Sequence, residues 1–375
     1  MKPITLLVAG DFCPQYRVAG LFEKKDFETV LGGVKAITMQ ADYSIVNFEC
    51  PITYGNEKAI NKLGPNLRCS QSGIDALKWA GFNCVTLANN HFYDYGDEGV
   101  KNTIEVCDQN LIDYVGGGID IEKASAILFK EIDGKTLAII NCCEHEFSVA
   151  TETKGGSNPL NPIQQFYKIQ EARKKVDFVL IIVHGGHEHF QLPSPRMQEI
   201  YRFFIDAGAD AVVNHHQHCF SGYEVYKGKP IIYGLGNLCF DEKDNIGGLW
   251  NQGYMVKLFF ADVVGFEIFP YNQCSKEPIV SILPAEAYDE KIKELNSIIQ
   301  DKELLTNRVR DYYKSCHIQV SYIFEPIFNR IYNSLRYRGI LPSFVSKKRK
   351  IMAFNYVNCE SHRDKLLSYL ENQNE

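Results

Sequence analysis

Two short apolar runs, each followed by a cluster of histidines, restrict most strongly how this chain can fold. The runs Val179–Val183 and Ala211–Val213 are short and rich in β-branched residues, which is typical of buried strands. Six of the ten histidines follow these runs: His184, His187, His189, His215, His216 and His218. The pattern predicts an α/β fold with histidines where strands end, which is where such folds place ligand sites.

Other predicted strands lead to side chains that can also bind a metal. These strands are Ile4–Ala9, Tyr43–Phe48 and Asn83–Ala88. The side chains that follow them are Asp11, Glu49, Asn90 and His91. A single Asp after a strand is more often a turn residue, and a single histidine is as often part of a hydrogen-bond network. Because several such residues follow strands at one side of the sheet, a metal site is favoured over separate turn residues and hydrogen-bonded histidines.

Oxygen ligands mixed with imidazoles suit one or two divalent ions of Mn, Zn or Fe, and no thiolate is needed. A carboxylate shared by two such ions would allow them to hold a phosphoryl-like centre and to activate a water.

The rest of the first 283 residues alternates between helical and strand patterns. The predicted helices are Phe27–Gln40, Ser70–Ala80, Asp97–Asn110, Ile163–Lys175 and Ser194–Ala207. The runs Ala126–Ile132 and Thr136–Cys142 flank Asp133-Gly134, which indicates a hairpin. Strands are also predicted at Gly222–Val225 and Ile231–Leu235, and Tyr254–Pro270 alternates as antiparallel strands do.

Six motifs follow one another between about residues 4 and 245. They are Asp11 after the first strand, Asn47-Phe48-Glu49-Cys50-Pro51, Leu87-Ala88-Asn89-Asn90-His91 with Asp94-Tyr95-Gly96, His184-Gly185-Gly186-His187-Glu188, Asp206-Ala207-Gly208-Ala209-Asp210 with His215-His216-Gln217-His218, and Tyr233-Gly234-Leu235-Gly236-Asn237. In this order they resemble the CapA family of capsule and poly-γ-glutamate synthesis proteins. That family lies within the calcineurin-like metallophosphoesterase superfamily.

The resemblance implies a metallophosphoesterase-like four-layer αββα sandwich with a metal site at the strand ends. It implies that one metal is held by Asp11, Glu49 and His218, with Glu49 bridging, and the second by Asn90, His184 and His216. His91 is implied to stabilise the developing oxyanion or to protonate the leaving group. Asp94 is then a candidate to orient His91, or else a cap of its loop.

Candidates for substrate contact lie outside that ligand set. His187 and Glu188 follow the first histidine cluster, and Arg17 or Lys62 could hold an anionic substrate, although a lone loop cation is more often simply solvated.

The sequence departs from the superfamily pattern at two positions. Superfamily phosphatases usually carry a histidine two residues after the first aspartate, where this chain has Cys13, and a bridging Asp where it has Glu49. The expected function is therefore a metal-dependent hydrolase of capsule, poly-γ-glutamate or related surface-polymer metabolism. In that function a metal-activated water attacks a phosphoester or acyl/amide centre with assistance from His91. The alternative is a non-catalytic accessory component of a polymer-synthesis complex that keeps the fold.

Charge and the terminal segments complete the expectations. The net charge of -6 disfavours nucleic acid as a partner, and an anionic polymer or a phosphoester is the expected substrate. The apolar run Ile4–Ala9 is too short for a signal peptide, and the twelve cysteines lack a C-x-x-C pair, so a reduced, cytoplasmic protein is predicted.

The composition changes near Pro284, which predicts a catalytic domain over residues 1–283 and a helical segment over residues 284–375. In Ile327–Lys350 aromatic residues alternate with basic ones. This stretch either packs its aromatic face on the catalytic domain or contacts anionic lipid at the inner face of the membrane.

Overall fold

Two β-sheets lie face to face, and helices cover both outer faces. The structure is a computed structural model that describes residues 3–242, 247–316, 334–335, 338, 340 and 346–372. The larger sheet contains eight of the described strands. In spatial order they are β16 (Val280–Ile282), β15 (Gly265–Gln273), β14 (Gln252–Phe260), β1 (Ile4–Phe12), β2 (Tyr43–Phe48), β3 (Cys84–Thr86) and β4 (Asp113–Val115), with β13 (Asn237–Cys239) beside the end of β1.

The second sheet contains six described strands, and a small separate pair lies outside both sheets. In spatial order the six are β11 (Tyr223–Tyr226), β12 (Lys229–Ile232), β10 (Ala211–His215), β9 (Phe178–His184), β7 (Lys135–Cys143) and β6 (Leu128–Ile132). The separate pair is β5 (Gly117–Gly118) with β8 (Gly156–Ser157). Strands β1 to β4 run parallel, as do β7, β9, β10 and β12, so the carboxyl ends of each parallel set point the same way.

The helices form the two outer layers. The first outer layer contains α1 (Tyr16–Glu23), α2 (Phe27–Thr38), α3 (Ser72–Trp79) and α4 (Gly96–Asn110). The second contains α6 (Pro162–Arg173), α7 (Pro195–Asp206), α8 (Asp289–Gln300) and α9 (Lys302–Ser315). The remaining described helices are α5 (Ile121–Ala124), a 3-10 turn (Leu249–Asn251), α10 (Lys347–Asn358) and α11 (Glu360–Asn372). The four-layer αββα sandwich is confirmed.

Side chains that alternate in direction along the strands contribute to two different apolar layers. In β1, Leu6 and Val8 face the core between the sheets, whereas Leu7 and Ala9 face α1 to α4. Because successive side chains of a strand point to opposite faces, a strand that is apolar throughout needs a cover on both sides. The continuous apolar runs in the sequence therefore predict the buried, two-sided sheets.

Local capping residues fix where several helices begin. Asn161 caps α6 and Ser194 caps α7, and each is followed by a proline at the first helical position. The sequence from Glu286 to Leu305 has an apolar helical period, which predicts one helix. The structure divides it into α8 and α9, because the side chain of Asp301 accepts a hydrogen bond from the Leu304 amide and starts α9.

The helices α8 and α9 pack on the second sheet. Leu295 and Ile299 of α8 and Leu305 of α9 belong to the same apolar core as the strands, and Tyr288 stacks on Phe220 at 4.6 Å. The division into two domains stays a prediction. Most of Ile327–Lys350 lies outside the described residues. Within the described part of the chain, no helix is both long and apolar enough to cross a membrane.

Candidate metal centre

The carboxyl ends of strands from both sheets meet at one place, and the predicted metal ligands lie there. Asp11 belongs to the end of β1, Glu49 follows β2, and Asn90 follows β3. His184 ends β9, and His216 and His218 follow β10. All six side chains are buried. Residues separated by more than two hundred positions in sequence, such as Asp11 and His218, therefore converge because parallel strands end on the same side.

The first ligand group consists of Asp11, Glu49 and His218, whose ligand atoms all lie within 4.8 Å of one another. His218 Nδ1 lies 3.7 Å from Asp11 Oδ2, and His218 Nε2 lies 3.7 Å from Glu49 Oε1.

The second group consists of Glu49, His184 and His216, again within 4.8 Å, with Asn90 beside them. His184 Nε2 lies 3.0 Å from His216 Nδ1, 3.1 Å from Asn90 Oδ1 and 3.6 Å from Glu49 Oε1. Glu49 is the member that the two groups share.

These groups fit divalent metals. Ligands at about 2.0–2.2 Å from a metal lie roughly 3.0–3.5 Å from each other, close to the spacing seen here. Glu49 Oε1 is buried and has no hydrogen-bond partner among the described residues, as expected for an oxygen that a cation satisfies.

The protonation preferences also fit. Burial, and then the neighbouring His216, lower the pKa of His184 well below its usual range, which keeps the ring in the neutral form that binds metals. Burial raises the pKa of Glu49 well above its usual range, and the nearby Asp11 raises it further, so a cation between the carboxylates would relieve their repulsion.

Asn47 and Asn237 form hydrogen bonds that orient the proposed metal ligands, a role that the sequence did not predict for them. Asn47 Nδ2 donates to Asp11 Oδ1 at 2.7 Å. Asn237 Oδ1 lies 2.9 Å from His218 Nδ1. Both belong to the motifs that carried the family resemblance, so that was the signal that could have identified them.

The close approach of β13 to β1 depends on Gly10. A Cβ at this residue would lie 2.0 Å from the Gly236 carbonyl oxygen. Asp11 N donates to that same oxygen at 3.0 Å, and Asn237 follows it in the chain. His216 and His218 have φ angles of 91° and 54°, which are costly for residues other than glycine and are typical of functional sites.

His91 lies beside the ligands and is paired with Asp94. His91 Nδ1 lies 2.7 Å from Asp94 Oδ2, and Lys62 Nζ lies 2.5 Å from Asp94 Oδ1 and 3.0 Å from His91 Nδ1. Burial, and then the charge of Lys62, lower the pKa of His91 to about 4, against the opposing effect of Asp94. Asp94 is also tied to the loop, since it accepts from the Leu67 amide at 2.7 Å.

Glu188 and His187, two of the candidates for substrate contact, occupy different environments. Glu188 is exposed and within electrostatic reach of His216. His187 is buried, and its Nε2 lies 2.8 Å from the Tyr313 hydroxyl in α9.

Arg17, the third candidate, is paired within the protein. Its guanidinium forms an ion pair with Asp241 at 2.6 Å and donates to the carbonyl groups of Cys274, Ser275 and Lys276. Each guanidinium nitrogen has a protein acceptor, so Arg17 joins α1 to the loop after β15 and the structure does not favour its contact with substrate.

Cys13 and Glu146 complete the surroundings. Cys13 is buried in the core beside α1 to α4, and its sulfur accepts from Gln15 Nε2 at 3.2 Å. It belongs to neither ligand group. Glu146, which no sequence motif singled out, has a carboxylate oxygen 4.0 Å from His216 Nε2. Burial, and then the nearby Glu188, raise the pKa of Glu146 to about 8.

Comparison with known proteins identifies the family. Residues 5–242 match the family described as "Bacterial capsule synthesis protein PGA_cap". "Capsule biosynthesis protein CapA" of Bacillus anthracis is 32% identical over 249 residues, which are 64% of this chain and 61% of that protein. "PGA biosynthesis protein CapA" of Bacillus subtilis (strain 168) is 34% identical over 238 residues, 62% of each chain.

The matched regions thus span about three-fifths of the length of these two relatives. Among solved structures, a "5'-nucleotidase precursor" from Thermus thermophilus aligns with a TM-score of 0.43 at 12% identity, covering 79% of this chain and 58% of that one. The family match extends over more than half of the sequence and contains every proposed metal ligand. The chain therefore belongs to the bacterial capsule synthesis protein family PGA_cap, which includes CapA.

Proposed function

We propose that this chain is a metal-dependent hydrolase of bacterial capsule, poly-γ-glutamate or related surface-polymer metabolism. The observation that carries the proposal is the pair of buried ligand groups that share Glu49. A shared carboxylate between two sites is the arrangement that two-metal hydrolases use.

In this proposal, different residues hold the metals and orient their ligands. Asp11, Glu49 and His218 would hold one divalent metal, and Asn90, His184 and His216 the other. When bound, such metals lower the pKa of water and neutralise charge that develops on a phosphoryl or carbonyl oxygen. Asn47 and Asn237 keep the ligands in place through the hydrogen bonds described above.

His91 is the proposed catalytic residue that is not a ligand. With Nδ1–H donating to Asp94, its Nε2 is a proton acceptor, since the low pKa keeps the resting ring neutral. Nε2 can take a proton from the attacking water and then deliver it to the leaving oxygen or nitrogen. Lys62, whose side chain is 3% exposed, pairs with the same carboxylate and so helps to hold Asp94 beside this ring.

The accessory-protein alternative rests on the departures from the superfamily pattern. Cys13 occupies the position of a usual histidine ligand and is directed into the core, so the first group has three ligands. With weak metal binding at that group, the chain would keep the fold and act through binding to polymer-synthesis partners.

Elemental analysis of purified full-length protein decides between these functions. We expect about two divalent ions per chain, as in two-metal hydrolases, and a clear reduction in His216→Ala. Protein with bound metal is then screened with phosphodiesters and γ-glutamyl amides, with Glu49→Gln as the inactive control. A chain that remains without metal after incubation with Mn²⁺ or Zn²⁺ would contradict the hydrolase and support the accessory function.

A further inference from the structure

The helices α9 and α11 lie beyond the family match, which ends at residue 242, yet both contact loops of the metal centre. One loop, Glu144-His145-Glu146, follows β7. The other, His187-Glu188-His189, follows β9. β9 ends at the proposed ligand His184, and β7 ends beside it with Cys143 paired to His184, so contacts that hold either loop also bear on the ligand strand.

The start of α11 holds the first loop through two neighbouring residues. Ser361 donates from its hydroxyl to Glu144 Oε2, and its amide donates to the same oxygen at 3.3 Å. Glu360 accepts from the His145 amide at 2.8 Å and lies 2.6 Å from His145 Nδ1. Glu144 is also tied to the ligand strand, since its amide donates to the His184 carbonyl at 3.0 Å.

An arginine connects this contact to the body of the second sheet. Arg196 of α7 donates to Glu144 Oε1 at 2.7 Å and to Asp364 Oδ2 at 2.8 Å. The carboxylate of Glu144 thus has partners on both oxygens, one of them on α7 and the other on α11. A carboxylate paired on both sides in a buried setting resists displacement, because moving it would leave charges unpaired.

Glu146 lies two residues after Glu144 in the same loop and faces His216, a proposed metal ligand. Glu146 Oε1 lies 4.0 Å from His216 Nε2, on the side of the ring away from His184. His216 Nδ1 lies 3.0 Å from His184 Nε2, so we take Nδ1 as the atom that would bind the metal. A histidine that binds a metal through one nitrogen commonly presents the other to a neighbouring polar oxygen, which fixes the orientation of the ring.

The second loop is held by α9 in a similar way. Tyr313 contacts His187 as described, and Tyr312 stacks on Phe190 with ring centroids 4.0 Å apart. The amide of His189 donates to the Gln217 carbonyl at 2.8 Å, between the ligands His216 and His218.

We propose that α11 is a positioning element of the second ligand group. By holding Glu144 and His145, it places Glu146 against His216 Nε2, and Glu146 orients the His216 ring for metal binding. Ser361, Glu360 and Glu146 are positioning residues, and the segment after residue 283 becomes part of the metal centre. The inference rests on the proposed function, because it requires that the second group binds a metal.

The test is calorimetric titration of metal-free full-length protein with Zn²⁺, which needs no substrate. The variants are Glu146→Gln, Ser361→Ala and Glu360→Gln, together with the double variant Glu146→Gln/Ser361→Ala. Ser368→Ala, two turns further along the same helix, is the matched control. Circular dichroism and thermal unfolding are recorded for each protein.

Each positioning variant should weaken one of the two binding events by about 10-fold, the usual effect of losing a partner of a ligating histidine. The other event and the Ser368→Ala control should be unchanged. The double variant should be no weaker than Glu146→Gln alone, because both substitutions act through the same ring.

Unchanged affinities in Glu146→Gln would overturn the proposal. So would a weakened site in Glu146→Gln with normal sites in both Ser361→Ala and Glu360→Gln, since α11 would then not act through this loop. A loss of thermal stability without a change in affinity would show that α11 is merely structural. Wild-type protein that binds no metal would contradict the proposed function itself, a result that differs from all of these.

Discussion

Asn237 Oδ1 lies 2.9 Å from His218 Nδ1, so an amide on β13 determines the orientation of a proposed metal ligand after β10. With Nδ1–H donating to the amide oxygen, the tautomer is fixed and Nε2 is directed toward Glu49 Oε1, 3.7 Å away. The pairing explains why the Leu-Gly-Asn motif accompanies the histidine motif in this chain.

Replacing Asn237 with Ala should therefore weaken metal binding at the first ligand group. The expected loss is about 10-fold to 100-fold in affinity, because the His218 ring loses the partner that orients it. Titration with Mn²⁺ or Zn²⁺ measures the change. Asn237→Asp keeps an oxygen at the same position and should retain most of the affinity; an equal loss in both variants would argue against the orienting role.

Replacing His91 with Ala should abolish turnover while metal remains bound. A positioned proton carrier contributes about 10²–10⁴-fold to rate, and His91 is absent from both ligand groups. Turnover is measured with the substrate that the screen identifies, and bound metal is measured by elemental analysis. Loss of metal in this variant would instead place His91 among the ligands.

The attachment of α11 should weaken as pH rises. The hydrogen bond to Glu360, opposed by burial, raises the pKa of His145. A group whose pKa is raised on folding stabilises fully below its unfolded value of about 6.5, and this contribution is lost as pH rises through the raised value in the folded protein.

Hydrogen exchange of the amides in Glu360–Asn372 measures this attachment. The exchange rates are first corrected for the intrinsic effect of pH on amide exchange. The corrected exchange should be faster at a pH of about 8.5 than at a pH of about 6, since the unfolded pKa of histidine lies between them. His145→Gln should remove most of this extra dependence. A variant with the same pH dependence as the wild type would assign it to another group.

Binding to anionic membranes through the basic C-terminal segment stays a prediction. Lys347, Lys348 and Lys350 at the start of α10 are exposed, which leaves their charges available. Co-sedimentation should be stronger with vesicles that contain phosphatidylserine than with neutral ones, and should decrease with salt. Replacing the three lysines by Gln is the matched variant. Equal sedimentation with both vesicle types would refute the membrane contact.

The sequence alone predicted the layers and, through the family resemblance, the candidate metal ligands. Short apolar runs specify buried strands, and a polar residue after such a run must lie at the strand's end, so Asp11, Glu49 and His184 were expected at one location. This inference succeeds because strand periodicity and strand direction are local properties, and parallel strands bring their ends together automatically.

Only the tertiary structure decided which partners these and other side chains have. Arg17 was expected to be available for substrate, but its guanidinium pairs with Asp241, 224 residues away. Glu146 carried no motif, yet folding places it against His216, and α11 reaches the same loop across more than two hundred residues. No local pattern encodes such pairs, because a side chain's partner depends on the packing of whole elements and not on the residues beside it in sequence.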